Sequence, residues 1–507
     1  MSHRTSVRAR WCLGTLLTGY FAIAVVAGAP NSPLTVLLPA DAQPPSWATT
    51  LAKAVGLDRV GRQGLTGVSW ILVVVVLVAF AFLLGEAWAG RVRLSAILVA
   101  SGMSLAISVA APLLLSRDVY TYVAYGRIDA LYHHNPYVTR LSSFPHDPFV
   151  AVTPGQWLHT HSQYGPLFTL ASAAIARAWT GSASATILAF KLLAGLAIVV
   201  ATGLVALTAA RVRPHRASLA AALVGLNPVL VVHTVGGGHV DALIAAPLAG
   251  ALAVAVTRPP ASSVRALAIT LLLTVAFLVK SVIVPALALW LWWIVRSDRA
   301  RRPRILIVHM AVIAAATLAA LSSFIAGWHT FTPFATLGGV EAWASPSHLV
   351  GRGAQAIVGS STGADAARAV EAAFLLLYVA LVWRLARRMR STTEAWGTAL
   401  LLLALSLPYL LPWYAAWFAP FLGLFADQAL MVAGVLVSAV LALTLIPADP
   451  FHGLTTPAVM DGVHYGAASA LLVVLLVVAS RLRDTAYRPP GEDARVGLCA
   501  ASALRSR

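Results

Sequence analysis

A polytopic, all-α membrane architecture is predicted by three observations. Hydrophobic residues make up 59% of the 507 and charged residues only 11%, with a mean hydropathy of +0.82. The apolar residues fall in repeated runs of about 20, the length that carries an α-helix across a bilayer. Basic residues gather in the breaks between runs: Arg91 and Arg93, Arg211, Arg213 and Arg216, residues 296–304, residues 384–390, and Arg481 and Arg483. That placement is the positive-inside bias and assigns those breaks to the cytoplasm. It also accounts for the formal charge of +18 without a nucleic-acid partner. The short alternating strands of a β-barrel are absent. Cys12 and Cys499, near opposite ends, point to neither a disulfide framework nor a metal site.

The first apolar run, residues 11–27, follows Arg4, Arg8 and Arg10. Ala27-Gly28-Ala29 resembles a signal-peptidase site, but the run is long for a cleaved leader and is read as a retained span. A polar, Pro-containing loop follows at 31–67 on the far side. Crossings at 68–88 and 95–115, joined by the basic turn 90–93, then leave 116–163 outside the cytoplasm. That loop holds short helical patterns and Pro breaks and is too long for a mere connector. Counting 164–180 as a crossing would put the 211–216 loop outside, against its charge, so 164–180 is expected to be interfacial or re-entrant. Further crossings are expected at 186–209, 218–235, 241–256, 265–279, 282–295 and 305–326. A second outer loop, 327–367, carries His329, Glu341, His348 and Arg352. The chain then crosses at 368–388, 395–411, 413–426, 430–446 and 463–480. The result is one transmembrane domain over 1–480 with about 14 crossings, within a range of about 12–14. Several runs are short enough to pair as half-helices around a cavity. Both termini come out cytoplasmic, with a disordered basic tail at 481–507. No Walker A sequence or dinucleotide fingerprint is present, which argues against a nucleotide-driven pump.

The polar residues that interrupt this pattern fall on one side. The stretch SRDVYTYVAYGRIDALYHHNPY, residues 116–137, places two Asp, two Arg, two His and five Tyr directly after an apolar run. A carboxylate against hydrocarbon is costly unless it meets water or a partner, so Asp118 is a functional candidate by default. The plainer alternative is a helix-end Asp capping the next turn, with Tyr anchoring the interface. Arg117, Tyr120, Tyr125, Arg127, the Asn135-Pro136-Tyr137 turn, His159, His161 and Tyr164 map outside with it. So do the turn Gly236-Gly237-Gly238-His239-Val240-Asp241, Lys280 at the outer end of a hairpin, and Trp413, Tyr414 and Trp417 near another. Each also has a structural reading: a tight Gly turn, a His–Asp pair, a snorkelling Lys, an aromatic belt. Paired His or Cys ligand spacing and an acidic DxD pair are both missing, so no metal and no cofactor is indicated.

Five of these blocks carry a family resemblance: SRDVYTYVAYG at 116–126, the Asn135-Pro136-Tyr137 turn, HSQYGPL at 161–167, NPVLVVHTVGGGHVDAL at 227–243 and LPYLLPWYAAWFAPF at 407–421. In this order they resemble the actinobacterial polyprenol-phosphate-mannose-dependent α-1,6-mannosyltransferases, integral-membrane glycosyltransferases of the GT-C type. Val240 stands where that pattern has Asn between His and Asp. The resemblance implies a multi-pass cell-membrane enzyme with its active site on the extracytoplasmic face. Its partners would be a polyprenyl-phosphate sugar donor held in membrane lipid and a glycan or lipoglycan acceptor such as an α-1,6-mannan. On that reading Asp118 is the general base that takes the proton of the acceptor hydroxyl. Lys280, His239 and Arg352 are the candidates for the donor phosphate. Arg117, Tyr120, Tyr125, Tyr137, Tyr164, Asp241, Trp413 and Tyr414 would bind substrate. Attack opposite the leaving phosphate inverts the anomeric centre. Two alternatives stay open: an enzyme of the same type using another polyprenyl-phosphate sugar, and a polyprenyl-lipid flippase or transporter.

Overall fold

The structure, a computed structural model, describes residues 5–297, 302–325, 344–359, 362–388, 391–448 and 457–484. His329 and Glu341, with the rest of 327–343 and residues 360–361 of the expected second outer loop, and the 485–507 part of the tail lie outside the described residues. Every extended element among the described residues is helical: α1 Val7–Ala27, α2 Ser46–Ala54, α3 Arg62–Trp88, α4 Leu94–Ala110, α5 Asp118–Ala130, α6 Pro166–Ala178, α7 Ala183–Val212, α8 Ala217–Gly225 and α9 Asp241–Ala255. The second half continues with α10 Val264–Val279, α11 Val284–Ser297, α12 Arg302–Leu321, α13 Pro346–Val358, α14 Gly363–Arg388, α15 Thr392–Ser406, α16 Ala415–Leu422, α17 Gln428–Leu441 and α18 Pro457–Asp484. Seven helices among the described residues are long and apolar enough to cross a membrane, and six more apolar helices have 10–17 residues. The all-α, multi-pass membrane architecture expected from the apolar runs is thus the architecture found.

The bundle has an inner and an outer shell. The segment Pro214–Val235 is 94% buried, whereas Arg302–Leu321 and Gly363–Arg388 are only 17% buried and face outward. α8, with the sequence ASLAAALVG, is almost wholly small or apolar and lets α4, α7 and α16 approach it closely. α9 joins this centre, packed between α7, α10 and α16. On α3, Ile71, Val74, Val75, Val78 and Phe82 are exposed while Val73, Val76, Phe80 and Leu83 are buried. Such a helix is apolar on both faces, as expected where the outer face meets lipid.

Three local breaks shape the end of the bundle that carries the polar blocks. The run expected to cross at 95–115 leaves the helix after Ala110, because Pro112 disfavours the helical conformation for Ala111, which sits at φ −64°, ψ 162°. Residues 111–117 form an extended strap instead. Leu114 donates its N–H to Gly236 O (3.1 Å), Leu115 donates to Leu34 O (2.8 Å), and Thr35 and Leu114 form an antiparallel bridge. The run expected at 218–235 is broken at Asn227-Pro228: α8 stops, and Val229–Val235 winds as a π-helical turn. Pro228 has no N–H to give, and the Asn227 side chain takes the N–H of Val229 at 3.2 Å. Finally, α6 has 13 residues with Pro166 in its first turn. At about 20 Å it is shorter than the ~30 Å hydrocarbon layer, in keeping with the non-crossing segment expected at 164–180.

The charge bias yields a direct test of orientation. Single cysteines placed at Ser143 and at Ser297, in a background lacking Cys12 and Cys499, are expected to label from opposite faces of intact membranes. Labelling of both from the same face would overturn the topology and the outward placement of the polar cluster.

Candidate active site

The strap, the Gly-rich turn, the end of α10 and the segment before α16 converge on one cluster. Asp118 is the first residue of α5, delivered there by the strap, and its N–H is taken by Ser116 Oγ at 3.2 Å. His239 follows the π turn, whose i→i−5 bond runs from His239 N–H to Thr234 O (2.9 Å). Such turns recur at functional sites because they displace the backbone that follows. Gly238 sits at φ +65°, a conformation that favours glycine and that turns the chain so that His239 points back at α5. The result is an Asp118 Oδ2 to His239 Nδ1 distance of 3.8 Å. The same His239 Nδ1 lies 3.2 Å from the Tyr122 hydroxyl, and the ring stacks on Trp413 with centroids 3.5 Å apart at 16°.

Asp241, fully buried at the start of α9, takes two bonds from Lys280 Nζ, at 2.8 and 3.1 Å, and one from Trp417 Nε1 at 2.6 Å. Lys280 also lies over the rings of Tyr414 (4.8 Å) and Trp417 (5.4 Å), which stack on each other at 4.0 Å. Its position is set through Gly165. The Gly165 N–H donates to Val279 O at 2.9 Å, and a Cβ at Gly165 would collide with the Leu278 carbonyl. The YGP motif and Lys280 are therefore one construction: only glycine lets the two backbones meet.

The electrostatics follow from burial. Removal from water, opposed by Lys280 and reinforced by Asp241, pushes the Asp118 carboxyl up to about 7. Burial pushes the Tyr122 phenol well above its ordinary range, so the hydroxyl keeps its proton beside His239 Nδ1. Burial, with Lys280 next, pushes the His239 imidazole down, so the ring is neutral. A neutral ring carries one hydrogen, either on Nδ1, which faces Tyr122 and Asp118, or on Nε2. That Nε2 is buried with no partner among the described residues. The cluster thus presents a carboxyl that titrates near neutrality, an ammonium and an imidazole nitrogen without a hydrogen-bond partner among the described residues.

Of the residues singled out in the sequence, Asp118, His239, Asp241, Lys280, Trp413 and Tyr414 meet here, and Tyr164 joins them with its ring 4.9 Å from Tyr122, edge-on. Others are turned to the scaffold. The Tyr120 hydroxyl donates to Leu37 O (2.8 Å), Tyr125 to His161 O (2.8 Å) and Tyr137 to Tyr164 O (2.8 Å). Arg117 Nη1 reaches towards Val152 O at 3.4 Å. Arg127 pairs with Asp147 at 2.6 Å and so braces the outer loop. Arg352 is exposed on α13, which packs on α14 and α18, and no contact brings it to Lys280. The residue passed over was Tyr122. Four residues after Asp118 on a helix that begins there, it shares the carboxylate's face, whereas Tyr120 does not. Among the described residues, no three His, Cys, Asp or Glu side chains group as metal ligands.

A large cavity lies beside this cluster, not in it. About 1340 Å³ in volume and mostly apolar, it runs between α4 and α7 under the 28–58 loop, lined by Trp47, Leu105, Val109, Leu188 and Leu192. Ala111, Pro112, Leu113 and Lys191 line it on one side, while Asp118, His239, Asp241 and Lys280 do not line it.

Breaking the Lys280–Asp241 pair from one side leaves a buried charge unmatched, which costs about 3–5 kcal/mol. Lys280→Met is therefore expected to lower the thermal midpoint of the purified protein clearly, and the double variant Lys280→Met/Asp241→Asn to recover most of it. Equal midpoints for Lys280→Met and the parent would show that the pair does not hold the site together.

Residues 16–296, more than half the chain and including Asp118, His239, Asp241 and Lys280, match the family described as alpha-(1->6)-mannopyranosyltransferase, N-terminal domain. The chain is also 25% identical over 446 residues to alpha-(1->6)-mannopyranosyltransferase A of Mycobacterium tuberculosis, covering 83% of this chain and 80% of that protein. An all-helical membrane chain whose polar blocks close into one site, matched over this length, belongs to the alpha-(1->6)-mannopyranosyltransferase family.

Proposed function

We propose that the protein transfers mannose from polyprenyl-phosphate-mannose to a mannan or lipomannan acceptor at the extracytoplasmic face of the cell membrane, forming an α-1,6 link with inversion. The observation that carries this reading is the pairing of a near-neutral carboxyl, Asp118, with the Lys280 cation and the His239 imidazole in one cleft. A sugar hydroxyl is a weak nucleophile, and a positioned base that takes its proton is worth about 10²–10⁴-fold. Asp118 accepts the proton of the acceptor's primary hydroxyl as that oxygen bonds to the anomeric carbon. The bond from that carbon to the phosphate oxygen breaks, and its electron pair leaves with the phosphate.

Charge is conserved within the site during this step. Asp118 loses one negative charge as it is protonated, and the departing polyprenyl phosphate gains one. Lys280 spends two of its three hydrogens on Asp241 and keeps the third for a phosphate oxygen. With its hydrogen on Nε2, His239 is the second donor, and Trp413 holds the ring flat beneath it. Donors fixed before the reaction stabilise charge that develops during it. Arg352 has no part in this arrangement as the described residues stand.

The reading is tested with radiolabelled polyprenyl-phosphate-mannose and short α-1,6-mannosides. Asp118→Asn is expected to insert normally and to lose about 10²-fold or more in turnover. In the parent enzyme kcat/KM should rise with pH through about 7. The sign follows from the group: a base with a raised pKa is protonated and idle below it, ionised and active above it. Asp118→Asn should remove this ascending limb. Label that crosses vesicles without a new glycosidic bond would instead indicate a lipid flippase.

A further inference from the structure

We infer that Lys191 is a positioning residue for Asp118, acting through the strap; this rests on the reading of Asp118 as the base. Lys191 lies in α7 and is only 2% exposed, yet among the described residues no carboxylate pairs with it. Its ammonium donates instead to two carbonyls, Ala111 O and, at 3.0 Å, Pro112 O. Ala111 is the residue that ends α4, so the cation sits on the negative end of that helix and on the first turn of the strap. A buried side chain whose hydrogens go to two successive backbone carbonyls restrains the segment that carries them.

What it fixes is the path to Asp118. From Pro112 the strap runs to Leu114 and Leu115, tied to Gly236 and Leu34, and reaches Ser116 and Asp118 within six residues. Leu115 is held at φ +64°, a conformation unusual for Leu, so the strap does not rest in this shape by local preference. Lys191 also supports the other half of the pair. Gly238 runs beside its stem: an added Cβ there would come into ordinary contact with Lys191 Cγ at 3.5 Å and the Cβ of Phe190 at 3.6 Å. One side chain thus braces the strap that carries Asp118 with its head and the turn that carries His239 with its stem. The 3.8 Å spacing of Asp118 and His239 depends on both. Lys191 also borders the apolar cavity.

The experiment compares Lys191→Met, Asp118→Asn and the double variant in the same donor–acceptor assay. Lys191→Met keeps the stem and removes the ammonium. Its kcat should fall about 10–100-fold, the scale of a small misplacement of a reacting group. KM for donor and acceptor should stay within about twofold, because binding surfaces away from the base are untouched. In the Asp118→Asn background the same substitution should cause no further fall, since the group it positions is already gone. An unchanged kcat in Lys191→Met, or an equal fall with and without Asp118, overturns the inference. If Lys191→Met does not accumulate, Lys191→Gln takes its place. Failure of both to fold overturns the inference too, by making Lys191 a determinant of the fold. Full turnover in Asp118→Asn alone would overturn the base assignment itself, and that result is read from the single variant without reference to Lys191.

Discussion

Lys280 and Asp241 hold each other at 2.8 Å in a place where neither charge could stand alone, and the rest of the site is arranged about that pair. Each partner comes from a different break in the apolar chain: Asp241 from the start of α9 after the Gly-rich turn, Lys280 from the end of α10. Trp417 and Tyr414 close the pair from the α16 side. Three segments far apart in sequence are thereby obliged to meet at one end of the bundle. In a hydrocarbon setting that obligation is strong, since an unmatched buried charge is among the most costly defects a fold can carry.

The pair also sets the chemistry of its neighbour. Asp118 feels one attractive cation and one repulsive carboxylate while it is shielded from water, so neither protonation state dominates near neutrality. That is the condition in which a carboxyl can take a proton and give it back. His239, pressed flat on Trp413 and bonded by Tyr122, is kept neutral and oriented, so with its hydrogen on Nε2 it serves as a donor without adding charge. The apolar shell of α8, α9 and α16 behind these groups makes each of their interactions stronger than it would be in water.

Much of this was legible in the chain. The apolar runs located nearly every long helix, since a bilayer demands length and hydropathy that no other constraint imitates. The polar blocks around Asp118, His239–Asp241, Lys280 and Trp413 stood out because charges and Gly turns are rare in such a composition. Register and pairing were less legible. Choosing Tyr120 and Tyr125 over Tyr122 required knowing that the helix begins at Asp118, and the strap that fixes this start depends on bonds to Leu34 and Gly236, distant in sequence. Lys191 lay inside a predicted crossing, where an ionisable residue is itself a signal. Its partners are backbone carbonyls, however, and a sequence does not display those. The length of α4 was misjudged for a plainer reason: Pro112, near the end of an apolar run, stops the helix although hydropathy continues.

The central claim is that glycosyl transfer takes place in the cleft of Asp118, His239 and Lys280. The most direct measurement is an experimental structure with a non-hydrolysable polyprenyl phosphonate of mannose and a short α-1,6-mannoside. The account predicts phosphonate oxygens within hydrogen-bond reach, about 2.6–3.2 Å, of Lys280 Nζ or His239 Nε2, and the acceptor's primary hydroxyl at the same reach from Asp118. A mannosyl group seated elsewhere, for instance in the apolar cavity beside Trp47 and Lys191, with Asp118 facing no hydroxyl, would contradict it.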